Sequence, residues 1–346
     1  MQAARALQAS GIPTDVQLIV GIPGDTCDLW RNCFSDLMEW GIHEHYQVFP
    51  YHLLPNAPAA EKTFMEEWGI STRMRYVNHM QDGARPRDSV DNLLKSRLVV
   101  ESKTYTTDDW LRMRTWAAFI KALHHSSLTR LVALYLRFTH QVAYRTFYEQ
   151  VIEHFFVGQT ILYGQLMDHY RQYLEDEEAV DDMQVPQLGG YGRNIDPSRW
   201  LQAQICLDID GVFSALKSFL LANYPSATNL ASAIDYQRNV VILPEYDRRV
   251  GKSFATDFDW MGYFAAAHNI TTDEKRLPEP SSVTDGRIHV TDQACGEPGL
   301  FVTALDWEAK QGEARTLTWL LRTIVPRNSI ARNNFRVMTL RMGLPS

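Results

Sequence analysis

Two glycines in a short turn, Gly21 and Gly24, are the residues whose spacing most clearly indicates a binding site. They follow an apolar run, where glycine lets the backbone approach another group closely. That group is either a ligand or a neighbouring helix, and the residues themselves favour neither. The turn, Gly-Ile-Pro-Gly, matches neither G-x-G-x-x-G nor G-x-x-x-x-G-K-S/T, so it does not indicate nucleotide-triphosphate binding.

Cysteines and histidines are the other candidates for chemistry. Cys27 and Cys33 are the closest pair of the four cysteines, and their spacing matches neither zinc ribbons nor cluster-binding runs. His124 and its neighbour His125 point about 100° apart on a helix, so they cannot easily share a metal. His43, near a predicted strand, has no Cys or Asp nearby that completes a site. We therefore expect no metal site.

Two further patterns argue against other activities. The segment that starts at Asp208 and ends at Gly211 resembles the beginning of a calcium loop, but it lacks the downstream Glu. Apolar residues continue after it at helical spacing, so we expect an exposed pair of helical carboxylates there. No serine lies in a G-x-S-x-G sequence, which argues against a hydrolase. The residues by themselves identify no catalytic group.

Composition excludes several classes of protein. The chain has 346 residues and a net charge of −7, so a broadly basic surface for nucleic acid is not expected. No apolar run approaches the roughly 18 residues that cross a bilayer. The first residues show neither the charged nor the apolar region of a signal peptide. We therefore expect a cytoplasmic protein that binds neither nucleic acid nor membranes.

The glycine turn lies inside a predicted strand–helix–strand unit. A helix is predicted over residues 3–9, a buried strand over 15–21, a helix over 29–40 and a second strand over 46–50, before a proline-rich loop at 53–58. A helix that connects two strands of one sheet makes those strands parallel. Two parallel strands are not stable alone in water. Either the later chain supplies further strands, or the sheet is incomplete.

The rest of the chain changes character twice. Residues 59–103 are polar and turn-rich and end in a strand-like segment at 96–102. Apolar spacing then predicts helices over 107–123, 128–137 and 144–156, with helical character continuing to about residue 173, and over 199–224. An acidic surface run lies at 175–182. Strand-like segments follow at 239–243, 254–264, 287–291 and 300–307, and a helix is predicted at 309–325.

Two segments near the beginning of the chain resemble the radical SAM enzymes. GIPTDVQLIVGIPGDT, at 11–26, is similar to their fifth barrel strand and the loop after it, which typically reads G-L/I-P-G-E/D-T. QVFPYHLLPNAP, at 47–58, is similar to their sixth strand and its exit loop. The likeness is greatest to the subclass with an N-terminal cobalamin-binding domain, whose long C-terminal region is similar to residues 240–247 and 251–260.

The resemblance implies an α/β fold that begins with the last strands of a radical SAM-type barrel. We expect the end of the barrel in residues 1–60, a connecting segment in 61–104, a helical domain in 105–235 and a mixed α/β region in 236–346. In the family, the loops after strands five and six pack around the adenosyl part of S-adenosylmethionine (SAM). By position, the implied cofactor-binding residues are Gly21, Ile22, Pro23, Gly24, Leu54, Pro55 and Asn56. Their implied role is apolar contact with adenine and backbone hydrogen bonding.

The sequence also departs from the family. The cluster-binding motif C-x-x-x-C-x-x-C, the first four barrel strands and the cobalamin domain are absent. The resemblance therefore implies the C-terminal part of an enzyme for radical C–H functionalisation or methyl transfer, inactive alone. Its 4Fe–4S cluster and cobalamin would come with an N-terminal part or a partner chain that carries the motif. The alternative is a non-catalytic helical scaffold or interaction protein derived from such an enzyme.

Overall fold

The strand–helix–strand unit predicted around the glycine turn is present. The structure is a computed structural model that describes residues 16–43, 46–76, 95–177, 179–184, 194–241, 252–269, 276–290 and 338–342. Strand β1 (Val16–Val20) pairs in parallel with strand β2 (Tyr46–Pro50), and helix α1 (Cys27–Glu39) connects them. The helix predicted at 29–40 starts earlier because the hydroxyl of Thr26 accepts the N–H of Leu29 at 3.1 Å, which caps the first turn.

An antiparallel sheet adjoins the parallel strand pair. Its strands are β3 (His52–Leu53), β4 (Ser71–Tyr76) and β5 (Lys95–Glu101), in the order β3-β5-β4. Tyr51 joins the two sheets through its backbone, since its N–H donates to Val20 O at 3.0 Å and its carbonyl accepts from Val99 N–H at 2.9 Å. Among the described residues, the parallel sheet contains β1 and β2 alone, and the later strands form a second sheet that adjoins it at Tyr51. The strand predicted at 96–102 is confirmed as β5.

The polar segment at 59–103 contains more regular structure than predicted. It holds helix α2 (Lys62–Trp68) as well as strand β4. The sequence of β4, STRMRY, alternates Met74 and Tyr76 with two arginines, but the structure buries Arg75 and leaves Met74 41% exposed, opposite to the pattern of an amphipathic strand. Its position is determined by backbone pairing with β5, which runs from Ser71 opposite Glu101 to Tyr76 opposite Lys95.

A helical region follows, as predicted. It comprises α3 (Thr107–Ile120), α4 (Arg130–His140), α5 (Tyr144–Glu149), α6 (Leu162–Glu175), α7 (Pro197–Leu207), α8 (Ile209–Asn223) and α9 (Leu230–Val240). Wide π-type turns extend α3 through His125 and α5 through Phe156. The single helix predicted at 199–224 is two helices, because the Asp208 carboxylate accepts the N–H of Gly211 at 3.1 Å and begins α8. Asp208 is thus a helix cap, and Asp210 pairs with Arg238 at 2.7 Å.

The last part of the chain contains small antiparallel sheets. One pairs β6 (Met183–Gln184) with β7 (Asn194–Ile195), and another has the order β10-β9-β8, formed by β8 (Lys252–Phe258), β9 (Ser282–Val290) and β10 (Met338–Met342). The strand predicted at 254–264 is wrong beyond Phe258, because Asp259 caps helix α10 (Trp260–Asn269) by accepting Gly262 N–H at 2.8 Å. Residues 239 and 240 end α9 rather than begin a strand. The predictions at 3–9, 300–307 and 309–325 lie outside the described residues.

A continuous apolar core joins the first strands to the helices, and the fold is mixed α/β. Helix α1 packs on α3, where the indole N–H of Trp30 donates to the carbonyl of Met113 at 2.9 Å. The partial barrel and the four segment boundaries remain predictions. Among the helices of the described ranges, none has the length and apolar character to cross a membrane.

Candidate cofactor-binding loops

The two glycines of the turn after β1 have different surroundings. Both have positive φ angles, 89° at Gly21 and 104° at Gly24, which L side chains rarely adopt. A Cβ on Gly21 would lie 3.2 Å from the Trp110 ring and 3.2 Å from the Tyr105 hydroxyl, whereas a Cβ on Gly24 would meet no described atom within 4 Å. The sequence left open whether the glycines approach a ligand or a neighbouring helix. The backbone of Gly21 approaches a neighbouring helix, whereas Gly24 borders open space.

The backbone donors of this turn are already paired inside the protein. Gly21 N–H and Ile22 N–H both donate to one carboxylate oxygen of Asp25, each at 3.1 Å. Gly24 N–H donates to the Thr104 hydroxyl at 3.1 Å, and Asp25 N–H donates to the Ile22 carbonyl at 2.9 Å. These bonds hold residues 21–25 in one conformation without a ligand.

What the turn still offers to a ligand is apolar surface and acceptors. The Ile22 side chain is exposed. Within the part of the chain that the structure describes, the carbonyl oxygens of Pro23 and Gly24 accept no hydrogen bond. Such a surface suits a flat heteroaromatic ring that carries an amino donor, and it does not provide the N–H groups that bind phosphates.

Asp25 closes the turn by accepting hydrogen bonds from the backbone of its own loop. Thr26 caps α1, and Asp25 binds the backbone of its own loop. Burial raises the pKa of Asp25, and the two N–H groups oppose that rise because they favour the carboxylate. The carboxylate therefore acts as a structural acceptor.

The second predicted loop, residues 54–56, follows a strand of the antiparallel sheet rather than a strand of the parallel pair. Leu54, Pro55 and Asn56 follow β3, so the short antiparallel strand separates them from the end of parallel strand β2. A turn holds them, with Ala57 N–H donating to the Leu54 carbonyl at 3.0 Å. Leu54 is 63% exposed, and Pro55 and Asn56 are exposed as well, so this loop also presents an apolar side chain to its surroundings.

One face of the parallel strand pair is uncovered. The register sets Gln17 beside Gln47 and Ile19 beside Phe49, so these four side chains share a face. Ile19 is 44% exposed and Phe49 is 45% exposed, although both are large and apolar. In the described residues, β1 pairs with β2 alone, which leaves its other edge open. This open sheet face ends at the glycine turn.

Three residues that the sequence did not connect with the turn hold it in place. They are Thr104 and Tyr105, which precede α3, and Trp110 in the first turns of that helix. Trp110 is fully buried, and residues 107–109 begin the helix predicted at 107–123. No local signal connects them with Gly21, because they lie far along the chain from it, beyond four strands and two helices.

A charged layer lies beneath Trp110. The guanidinium of Arg114 is 5.8 Å from the centre of the Trp110 ring and 5.0 Å from that of Tyr170. It is buried and forms an ion pair with Asp181. Burial by itself would lower the pKa of Arg114, but the Asp181 carboxylate together with Tyr170 and Tyr173 raises it above the usual value, so the guanidinium remains charged.

Asp182, beside that ion pair, gives the protein a pH-dependent stability. Burial raises the pKa of Asp182 from 3.8 to about 6, and the charges of Asp196 and Asp181 add to this rise. The folded state favours the protonated carboxyl of Asp182, and this stabilisation is complete below the unfolded pKa of 3.8. As the pH rises through about 6, the buried carboxyl ionises and the stabilisation is lost. We expect Asp182→Asn to increase the free energy of unfolding at pH 7.5 by about 2 kcal/mol, with most of the gain appearing between about pH 4 and pH 6.

Urea unfolding at three pH values across that interval measures the effect. Asp168→Asn is the control, because Asp168 is an exposed partner of Arg171 and should change stability little at any pH. A gain for Asp182→Asn that does not vary with pH would contradict the titration.

The histidines and cysteines do not form a ligand set in the described structure. His43 Nδ1 lies 2.9 Å from His124 Nε2, whose ring continues to the Tyr148 hydroxyl at 2.7 Å. Burial raises the pKa of both Cys27 and Cys33 to about 11, so these thiols are protonated near neutral pH. Across the described ranges, no three His, Cys, Asp or Glu side chains are grouped so that they could hold a metal ion.

Two curated proteins are similar to most of this chain, although no protein-family model matches it. The cobalamin-dependent radical SAM methyltransferase TokK of Streptomyces tokunonensis is 28% identical over 314 residues, which cover 85% of this chain and 43% of TokK. The 2-(S-pantetheinyl)-carbapenam-3-carboxylate methyltransferase of Streptantibioticus cattleyicolor is 24% identical over 306 residues, covering 83% of this chain and 43% of that protein. The chain thus spans less than half the length of these relatives. The resemblance to cobalamin-type radical SAM enzymes, first carried by two segments, is confirmed over most of the chain.

Proposed function

We propose that this chain forms the cofactor- and substrate-facing part of a cobalamin-dependent radical SAM methyltransferase. The observation that carries the proposal is the fixed turn at residues 21–24, which lies at the end of the open sheet face. The names of the two relatives support methyl transfer as the reaction class. Other radical C–H functionalisation is the broader class to which the same site would belong.

SAM is the cofactor that this chain would contact directly. The adenosyl part would lie against Ile22 and Leu54, with the carbonyl oxygens of Pro23 and Gly24 as acceptors for the adenine amino group. Gly21 supports this turn from its buried side, and Pro55 and Asn56 complete the second loop. When bound, SAM supplies the radical chemistry, and these residues orient it and exclude water.

The cluster requires ligands that this sequence does not contain. The motif C-x-x-x-C-x-x-C is absent, and the nearest pair, Cys27 and Cys33, consists of protonated thiols, one of which donates to Asp109. We therefore assign the 4Fe–4S cluster and cobalamin to polypeptide outside this sequence, either an upstream part or a separate chain. Activity would then depend on that polypeptide.

The open sheet face is where we place that polypeptide. A parallel sheet normally has both faces covered, and an open strand edge favours pairing with another strand. We expect Phe49→Glu to weaken association with the cluster-bearing polypeptide by about 100-fold, because a carboxylate would be buried among apolar groups. Sedimentation or titration calorimetry on the two polypeptides measures this. Ile161→Glu is the matched control, since Ile161 is 73% exposed and lies at the start of α6. An equal loss for both variants would contradict this placement.

The test of the function is reconstitution. This chain is expressed together with a polypeptide that carries C-x-x-x-C-x-x-C, and cluster content, cobalamin content, SAM cleavage and methyl transfer are measured. The expected result is SAM cleavage in the complex and none with either part alone. A complex with a complete cluster that neither binds nor cleaves SAM would contradict the proposal.

The absent cysteine motif favours a second candidate, a non-catalytic scaffold derived from such an enzyme. It predicts a monodisperse chain that is stable alone and binds a protein partner without SAM. Aggregation of the isolated chain would argue against the scaffold, because the open edge would then be uncovered.

A further inference from the structure

The Gly21 carbonyl points into the protein, toward a hydroxyl from a distant part of the chain. Tyr105 donates to it at 2.6 Å, and this bond is buried. Burial raises the pKa of Tyr105, and the neighbouring Asp25 charge adds to the rise, so the hydroxyl keeps its proton at any working pH. Without this donor, the carbonyl would be buried and unpaired, which is costly.

The same short segment also holds the other end of the turn. The Thr104 hydroxyl accepts Gly24 N–H at 3.1 Å, while the Trp110 ring lies against Gly21. We call residues 104–110 the loop platform. The loop platform forms hydrogen bonds with both ends of the turn, and it does not cover the open side of residues 22–24.

The loop platform is itself rigid. Ser102 and Tyr105 form an isolated antiparallel bridge, and Thr106 and Asp109 form a capping box at the start of α3. Asp109 in addition accepts the Cys27 thiol at 3.5 Å, which ties the platform to the start of α1. The turn is therefore held by the loop platform, whose own backbone is fixed by the bridge, the capping box and the contact with α1.

We infer that Tyr105 and Trp110 are positioning residues that determine how the turn at 21–24 presents its acceptors and the Ile22 side chain to the cofactor. This inference rests on the proposed function for the identity of the ligand, and on the structure alone for the positioning. Neither residue touches the open side of the turn. The helical region thereby controls cofactor affinity through α3.

Tyr105→Phe tests this by removing one hydroxyl, and Tyr144→Phe is the matched control. Tyr144 is equally buried, and its hydroxyl has no hydrogen-bond partner among the described residues. Hydrogen exchange of the isolated chain is expected to be about tenfold faster at Ile22 and Gly24 in Tyr105→Phe and unchanged in Tyr144→Phe. Exchange in α3 beyond Met113 should not change in either variant.

The second readout uses the complex with the cluster-bearing polypeptide. The Kd for SAM is expected to rise about tenfold in Tyr105→Phe, with kcat at saturating SAM unchanged. Unchanged exchange in the turn, or faster exchange throughout α3, would overturn the positioning role. Faster exchange with an unchanged Kd would overturn its connection to the cofactor. If the unaltered complex does not bind SAM, the proposed function fails, while the exchange result still decides the positioning.

Discussion

Replacing Gly21 with alanine should lower the free energy of unfolding by about 3 kcal/mol, since two costs combine at this position. The backbone angle of 89° is unfavourable for any residue with a Cβ. The new methyl group would also lie 3.2 Å from the Trp110 ring and from the Tyr105 hydroxyl, so the turn would have to move away from the loop platform. In the proposed complex with the cluster-bearing polypeptide, we expect the Kd for SAM to rise at least as much as in Tyr105→Phe.

Gly24→Ala and Gly158→Ala separate these two costs in urea unfolding. Gly24 has a similar backbone angle, 104°, but open space around it, so its substitution should cost only about 1 to 2 kcal/mol. Gly158 has open space in a helical turn and should tolerate alanine without loss. If Gly21→Ala were no more destabilising than Gly24→Ala, the contact with Trp110 would not contribute to the cost of the substitution.

Replacing Asp181 with alanine should lower the free energy of unfolding by about 3 kcal/mol, because it leaves the buried guanidinium of Arg114 without its carboxylate. The Arg114 side chain is only 5% exposed, so the guanidinium is left in a largely buried site without a negative partner. Since Arg114 also lies beneath Trp110, the loss should reach the turn and increase hydrogen exchange at Ile22.

A double variant controls for the charge. Arg114→Met combined with Asp181→Leu removes both partners and should be less destabilising than Asp181→Ala alone, since no charge is left buried. Asp168→Ala, which breaks the exposed pair with Arg171, should cost under about 0.5 kcal/mol. A double variant that unfolds more easily than Asp181→Ala would show that packing, rather than the stranded charge, dominates.

The elements from β1 to β2 were largely predictable, because their signals are local. A β-branched run identifies β1, apolar spacing identifies α1, and Thr26 provides the cap. Most of the helical region was predictable for the same reason. Extended backbone at Thr160 and the cap at Asp208 each divide one apolar pattern into separate helices, and helix α9 was not predicted. Strand β4 was not predicted, because the segment is short and polar and its alternation opposes burial: Arg75 is buried, whereas Met74 is exposed.

The candidate site was likewise predictable only where its signals are local. The turn at residues 21–24 follows from its sequence, because two glycines around a proline after a strand require this kind of backbone. Which side of it is buried does not follow, because Thr104, Tyr105 and Trp110 contact it only after a distant part of the chain has folded back onto it.

The sequence by itself determined the local elements and the family resemblance, both of which depend on neighbouring residues. Only the tertiary structure decided that the N–H groups of Gly21, Ile22 and Gly24 are used internally and that acceptors remain for a ligand. It also decided that Ile19 and Phe49 share an uncovered face. Hydrogen-bond partners and exposure depend on distances between remote segments, and periodicity along the chain carries no information about them.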